Sequence, residues 1–482
     1  MIAYRLDLEA SKVISSMKPY PVMKDSGVLW LRGVPEHWKV ERLKSLMSNV
    51  IEQTAKQQNG LYIALENVES WTGILKKTGF DMPFDSQVKR FQSGDVLFGR
   101  LRPYLAKVTR PMMDGVCVGE FLVLRPRVSC VTASYMEKLL RSKTIIEAIN
   151  STTFGAKMPR ADWQFIGGMA IALPPLPEQE AIVRFLDHMD HRIRRYIRAK
   201  QKLIKLLEEQ KQAIIHSAVT LGLDPNVPLK PSGVEWLGDV PEHWVVAALR
   251  HRYSQCLGKM LDSKKITGKY PLPYLRNIDV QWDRINIKDL PIMDISPEEY
   301  ERYTIRKGDL LVCEGGDVGR CALWSDEMPL CGFQKALHRL RPRCADQDVP
   351  RFMYYLLRAA AKCDAFNDGH LSTIAHLTGD KLRAHRFSFP PKLEQEILVN
   401  FLDITLEGID KAISSTLCEI SLLHEYRARL ISDVVTGKLD VRGIDLPATA
   451  DAEVSEEYSD LLQCEEVMGD EELQEELPAE SD

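Results

Sequence analysis

Residues 26–38 read SGVLWLRGVPEHW, and residues 232–244 read SGVEWLGDVPEHW. Ten of the thirteen positions match, at an offset of 206 residues. Working outward, PPLPEQEAIVRFLD at 174–187 returns as PPKLEQEILVNFLD at 390–403, with nine of fourteen positions shared at an offset of 216. That second offset persists to the end of each unit, where Ala218, Val219 and Thr220 face Val434, Val435 and Thr436. The chain is therefore one plan written twice, and an internal repeat decides architecture before any local reading does. Each copy has a shared lead-in, a variable block of roughly 140 residues, and a shared terminal block. Similar frames around unlike middles suggest two copies that dock alike while their middles recognise different things.

The variable blocks read as mixed α/β. Runs such as GDVLFGRL and GVCVGEFLVLRPR, and their counterparts GDLLVCEGGDVGRCALW and CGFQKALHRLRPR, are apolar and β-branched and predict strands. SYMEKLLRSKTIIEAINS and VPRFMYYLLRAAAKCDAFN predict helices. In each copy the order is strands, helix, a Gly-containing polar loop, then a strand ending at Pro-Pro. The shared terminal blocks predict two long helices, from about Pro177 to Leu221 and from about Leu393 to Thr436. The first has no internal Gly or Pro and stops at Gly222 and Pro225. Its apolar seam is Ile182, Leu186, Met189, Ile193, Tyr196, Leu203, Leu207 and Ile214. The second seam is Leu398, Leu402, Leu406, Ile409, Ile413, Leu417, Ile420, Leu423, Leu430 and Val434. Spacing of three and four over about six heptads predicts a coiled coil. A helix of about 40 residues is about 60 Å long. Connectivity then predicts that the helices pair antiparallel, with a globular domain at each end and a pseudo-twofold axis. The expected fold class is mixed α+β: two similar α/β domains separated by two long antiparallel coiled-coil helices.

Charge separates the body from its end. The 482 residues carry 63 Lys+Arg and 68 Asp+Glu, a net charge of -5. Residues 443–482 hold 15 of the acids and no Lys or Arg, so residues 1–442 stand at 63 − 53, or about +10. A basic body suggests a polyanionic partner, and an acidic tail suggests a solvated end or a DNA mimic competing for the basic surface. An apolar fraction of 45% describes an ordinary globular protein. There is no run of 18 apolar residues and no apolar leader, so a cytoplasmic protein is expected. The ten cysteines show no C-x-x-C and no zinc spacing, which predicts scattered thiols and no metal site.

Catalytic signatures are sparse. No phosphate-binding G-x-x-x-x-G-K-[ST] loop, G-x-G-x-x-G or H-E-x-x-H occurs. The Pro-Pro pairs in LPPL and FPPK lack the flanking residues with which an amino-methyltransferase grips a flipped base. His37 and His243 could act as bases, but their place beside Trp38 and Trp244 reads as a packed corner that starts each domain. Basic residues in the variable blocks point to DNA instead. They are Arg100, Arg102, Tyr104 and Lys107 in FGRLRPYLAKV, then Lys157 and Arg160 in TFGAKMPRADW. The second block offers Arg276 and Asn277, Arg320, then Lys335, His338 and Arg339, and His370, Ser372 and Thr373 in DGHLSTIAHL. Glycines beside Arg or Lys let backbone approach a phosphate, while Arg and Asn can pair with guanine and adenine edges.

Together the duplicated SGV-x-W-L…VPEHW and PP-x-x-EQE…FLD motifs, GRLRPYLAKV and the terminal VVTGKLDV resemble the specificity (S) subunit of type I restriction-modification systems. The resemblance covers about 1–442. It implies a lead-in at 1–25, a first target recognition domain at 26–176 and a first spacer helix at 177–221. A linker, the second lead-in and the second recognition domain follow at 222–392, then the second spacer helix at 393–436 and a C-terminal segment at 437–482. Each recognition domain would read half of an asymmetric bipartite site, with the coiled coil as a ruler for the spacer between the halves. The shared regions would bind two methyltransferase (M) subunits that modify adenine, and two restriction (R) subunits could join. S-adenosylmethionine, ATP and Mg would sit on those partners, with no catalytic role for this chain. Three alternatives stay open: a related system with one fused methyltransferase–nuclease partner, an enzyme in its own right, and a coiled-coil adaptor without a DNA role.

Overall fold

A computed structural model describes residues 17–28, 30–54, 61–76, 88–153, 158–261, 267–366 and 376–446. Lys157, His370, Ser372, Thr373 and most of the acidic tail lie outside them. The chain divides into two compact units, Met1–Lys200 with Cys418–Asp482, and Gln201–Leu417. Each is built from one variable block and a stretch of both long helices.

In the first unit, Met47–Val50, Phe121–Pro126, Val96–Gly99 and Val108–Thr109 form an antiparallel sheet in that order. Strand alternation splits its apolar residues between two faces. Val96, Phe98, Leu122 and Leu124 face the main core, which includes the helices Ala133–Leu140 and Lys143–Asn150. Leu97, Phe121 and Val123 face a second core under Gly115–Cys117 and Leu61–Ile63. The strand Ala170–Leu173 pairs with Lys39–Arg42 of the lead-in just before Pro174 and Pro175. The second unit repeats this plan. Its sheet runs Tyr253–Leu257, Leu337–Pro342, Leu310–Cys313, Cys321–Leu323, covered on one face by the helix Pro350–Lys362. Arg386–Phe389 pairs with Val245–Ala248. The expected order of strands, helix and Pro-Pro strand is present in both, while the Gly-containing loops fall largely outside the described residues, at 154–157 and 367–375.

The long helices span Leu176–Leu221 and Lys392–Val435. Within the first unit Asp190 is paired with Arg427 and Lys200 with Glu419, so the helices run antiparallel there. In the second unit Lys211 meets Asp410, and Gly222 lies beside Glu394, again antiparallel. Ile182, Leu186, Met189, Ile193 and Leu430 are buried in the first unit, with Leu423 half-buried; in the second, Leu402, Ile409 and Ile413 are buried and Leu207 half-buried. Leu203 and Leu417, expected in the seam, are instead exposed at 44% and 51%. Thr416 takes the buried place next to Leu417, and Ile204 packs in place of Leu203. A 3.6-residue turn drifts by about 20° per heptad from a 3.5-residue repeat, so the contact face moves round the helix as the heptads accumulate. Leu402→Ala is expected to cost about 2–5 kcal/mol and Leu417→Ala less than about 0.5 kcal/mol, which denaturant unfolding of the two variants measures. Equal losses would refute this seam.

Both long helices end at a glycine in the left-handed region, Gly222 and Gly437, each at φ +76°. Each packs on the tryptophan of a VPEHW motif, Gly222 on Trp244 and Gly437 on Trp38. A Cβ on Gly437 would sit 2.3 Å from Pro35 Cδ, so no side chain fits. No helix among the described residues is long and apolar enough to cross a membrane.

Candidate nucleic-acid interface

The repeated motifs meet in space. Glu178 of the first PEQE accepts from Trp38 Nε1 at 2.9 Å and pairs with His37 Nε2 at 2.8 Å. Glu394 of the second motif makes the same contacts with Trp244, at 3.0 Å, and His243, at 2.8 Å. A carboxylate at the start of a long helix also suits the positive end of the helix dipole. In the first unit Tyr20 donates to Glu178 as well, and Arg442 lies over the Tyr20 ring at 5.0 Å. Burial, followed by the neighbouring Glu178, raises the Tyr20 hydroxyl above its ordinary pKa. The two histidines therefore hold corners of the scaffold.

The basic residues of the first unit gather on one surface. The segment after Val96–Gly99 crosses the loop before Trp163: Leu101 bridges Arg160, and the Arg102 amide bonds to the Pro159 carbonyl at 2.8 Å. Arg102 and Tyr104 are exposed there. Arg100 Nε reaches Glu120 at 3.1 Å, and Arg160 Nη2 reaches the other oxygen of that carboxylate at 3.0 Å. Burial would lift the Glu120 carboxyl, but the two guanidiniums outweigh it and hold it below its usual range. Lys107 behaves differently. Its ammonium donates to the Leu65 carbonyl at 2.7 Å, and burial lowers its pKa.

The second unit corrects several expectations. Arg320 Nη2 donates to the Asn277 carbonyl at 3.0 Å. Leu65 and Asn277 each open a short 3-10 turn, so Lys107 and Arg320 are the same strut in the two units. Neither presents its bonded end to a ligand. Arg339 is buried at 7% exposure, donates to the Thr304 carbonyl at 2.7 Å and lies over Phe333. It is a core guanidinium and not a surface one, because its sheet is covered on both faces. His338 is likewise buried, with Nε2 at 2.8 Å from the Leu377 carbonyl, and desolvation lowers its pKa. Arg276 is held bidentate by Asp279, both contacts at 2.9 Å. Asn277 Nδ2 donates to the Gly315 carbonyl at 3.1 Å, while its buried Oδ1 has no partner among the described residues. Lys335 is exposed. Glu120 was missed in the sequence; its one signal is a carboxylate directly before an apolar strand.

The family described as Type I restriction modification DNA specificity domain matches residues 257–417. A putative type I restriction enzyme MjaX specificity subunit of Methanocaldococcus jannaschii is 22% identical over 436 residues, 85% of this chain and 95% of that protein. This chain resembles type I specificity subunits along most of its length. The EcoDI specificity subunit of Escherichia coli is 24% identical over 165 residues, 33% of this chain and 36% of that protein. Among solved structures, a chain from a type I restriction-modification assembly aligns with a TM-score of 0.67 at 19% identity, covering 83% of this chain and 98% of that one. The HsdS subunit of Thermoanaerobacter tengcongensis aligns with a TM-score of 0.50 at 20% identity, covering 84% and 98%. At such identities these two likenesses establish the fold, which agrees with the one expected from the repeat.

Proposed function

We propose that this chain is the non-catalytic DNA-recognition subunit of a type I restriction-modification complex. Each variable block reads one half of an asymmetric bipartite site, and the paired helices set the spacer between the halves. The shared corners and helix starts dock two methyltransferase subunits for adenine methylation. Restriction subunits, where they join, add ATP-dependent cleavage. S-adenosylmethionine, ATP and Mg belong to those partners. The observation that carries the reading is the duplicated Trp–His–Glu corner: one scaffold, held by the same bonds twice, carries two surfaces with different side chains. A twofold arrangement of identical enzymes on unlike readers needs such a chain. Half-sites on one face of a duplex lie about 34 Å apart, one helical turn, or a multiple of it.

The test is DNA binding by the complex reconstituted with its methyltransferase partner, at several salt concentrations. Arg102→Ala and Lys335→Ala each remove an exposed charge placed to meet a phosphate. Each is expected to weaken binding and to reduce the slope of log K against log salt by about 0.9. An unchanged slope in both variants would remove these side chains from the interface. Binding of the unaltered complex that ignores salt would count against a DNA role altogether and favour an adaptor.

A further inference from the structure

The two units share a hydrogen-bond framework at the surface just described, and it fixes which residues correspond. Arg125 clasps Asp95 in the first unit, and Arg341 clasps Asp309 in the second at 2.7 Å through both contacts. At the end of the following strand the Gly99 amide bonds to the Lys107 carbonyl at 2.9 Å, and the Cys313 amide bonds to the Arg320 carbonyl at 2.7 Å. One residue on, the Arg100 amide bonds to the Glu120 carbonyl at 2.9 Å, and the Glu314 amide to the Ala336 carbonyl at 3.1 Å. The Arg100 carbonyl accepts from the Ala161 amide at 2.9 Å, and the Glu314 carbonyl from the Leu377 amide at 2.7 Å. Arg100, Glu120 and Arg160 in one unit therefore stand where the other has Glu314, Ala336 and His376.

The backbone is the same at these three places and the chemistry is inverted. In the first unit Glu120 braces both arginines, leaving the two terminal nitrogens of Arg100 without a bond to Glu120. A guanidinium offers donors only. In the second unit Ala336 supplies no brace. Among the described residues the half-buried Glu314 carboxylate has no hydrogen bond or ion pair. His376 is exposed and lies against Gly315, where a Cβ would come within 3.1 Å of its Nδ1. An ionised carboxylate is acceptor only, so a carboxylate that its own chain leaves free can take a donor from a ligand. In the major groove guanine presents two acceptors, N7 and O6, whereas cytosine N4 and adenine N6 are amino donors.

Resting on the DNA-recognition reading above, we propose that this corresponding position reads a base in each domain. Arg100, positioned by Glu120, selects the acceptor edge of guanine. Glu314 selects an exocyclic amino group, cytosine N4 or adenine N6. The two half-sites then differ at matching positions because one backbone site carries opposite hydrogen-bonding polarity.

The experiment is to express the chain with its methyltransferase partner and map methylated sites genome-wide for wild type, Glu314→Gln and Arg100→Gln. The wild type is expected to give one bipartite motif. Glu314→Gln is expected to relax one base pair in one half, lowering discrimination there by roughly 5- to 150-fold, and to leave the other half intact. Arg100→Gln is expected to relax one base pair in the opposite half by a similar factor. The base lost in the Glu314 variant identifies cytosine or adenine. Unchanged motifs, relaxation of the same half by both variants, or a uniform loss of methylation with an unaltered motif would each overturn the assignment. Both variants are expected to melt as wild type does; if one melts early, Glu314→Ala or Arg100→Lys is read in its place. A wild-type complex without a bipartite motif would overturn the DNA-recognition reading itself, and this assignment with it.

Discussion

Trp38→Ala is expected to destabilise the first unit by about 3–5 kcal/mol, the range for deleting a large buried aromatic side chain. Trp38 is fully buried at the centre of the corner, between the lead-in, the end of the second long helix and the start of the first. Its loss opens a cavity beside Gly437, on which the indole and Pro35 both pack. The indole also donates to a carboxylate that is itself 5% exposed, so part of the cost is an under-bonded Glu178. Trp38→Phe separates the two contributions: it keeps most of the burial and removes the donor. Unit-resolved hydrogen exchange is the measurement. Protection is expected to fall in the helix Ala133–Leu140 and to hold in Pro350–Lys362, which packs in the other unit. Equal loss in both helices would show that the two cores unfold as one.

Arg427→Met is the second large effect. Asp190 and Arg427 are both nearly inaccessible, at 6% and 7%, and they join the two long helices. Removing one member of a buried pair costs about 3–5 kcal/mol where the other is left uncompensated. Arg194 still pairs with Asp190, so the cost expected here lies at the lower end, about 3 kcal/mol, whereas replacing both members with apolar side chains is often neutral. Arg427→Met combined with Asp190→Leu is therefore expected to recover most of the loss. The pair also sets an acid dependence. Burial alone would raise the Asp190 pKa, but Arg427, Arg194 and Lys138 outweigh it and hold it well below the ordinary value. A carboxylate depressed in the folded state adds stability above its unfolded pKa of about 3.9, and that stability is lost as pH falls towards the folded value. Without Arg427 the depression shrinks, so stability should fall less steeply below about pH 4 than in wild type. Denaturant midpoints measured between about pH 3 and 7 test this. A parallel pH profile in the variant would show that Asp190 is held by its other neighbours.

The architecture was legible because repetition and helical periodicity survive without contacts. A thirteen-residue match, a fourteen-residue match and a three-four spacing are properties of the string alone. The candidate surface was legible only in part. Arg100, Arg102 and Arg160 stand where a Gly- and Pro-flanked basic loop suggests. Lys107, Arg320 and Arg339 look the same in sequence, yet each spends its charge on a carbonyl of its own chain. Nothing local distinguishes a lysine that reaches out from one that ties down a turn 42 residues away. Arg339 was misjudged because alternation assigns one face of a strand to solvent, and this sheet has none to give. Glu314 was passed over because a search for phosphate partners looks for positive charge, whereas a base edge can equally be read by a carboxylate.

The interleaving of the two units bears on the order in which the protein is made. The second unit is one unbroken stretch, Gln201–Leu417, and can close while the ribosome still holds the chain. The first cannot. Its core requires Leu430, Ile431, Val434 and Val435, and its edge is sealed where the Asp440 amide bonds to the Lys18 carbonyl at 2.8 Å. Its two parts are separated by the 217 residues of the other unit, roughly 10–40 s of synthesis at about 5–20 residues per second. Until the later segment is made, Phe185, Leu186 and Met189 lack the part of their core that Leu430, Ile431, Val434 and Val435 supply. A truncation before Leu430 therefore removes core residues of the first unit although it lies more than 200 residues from that unit's variable block.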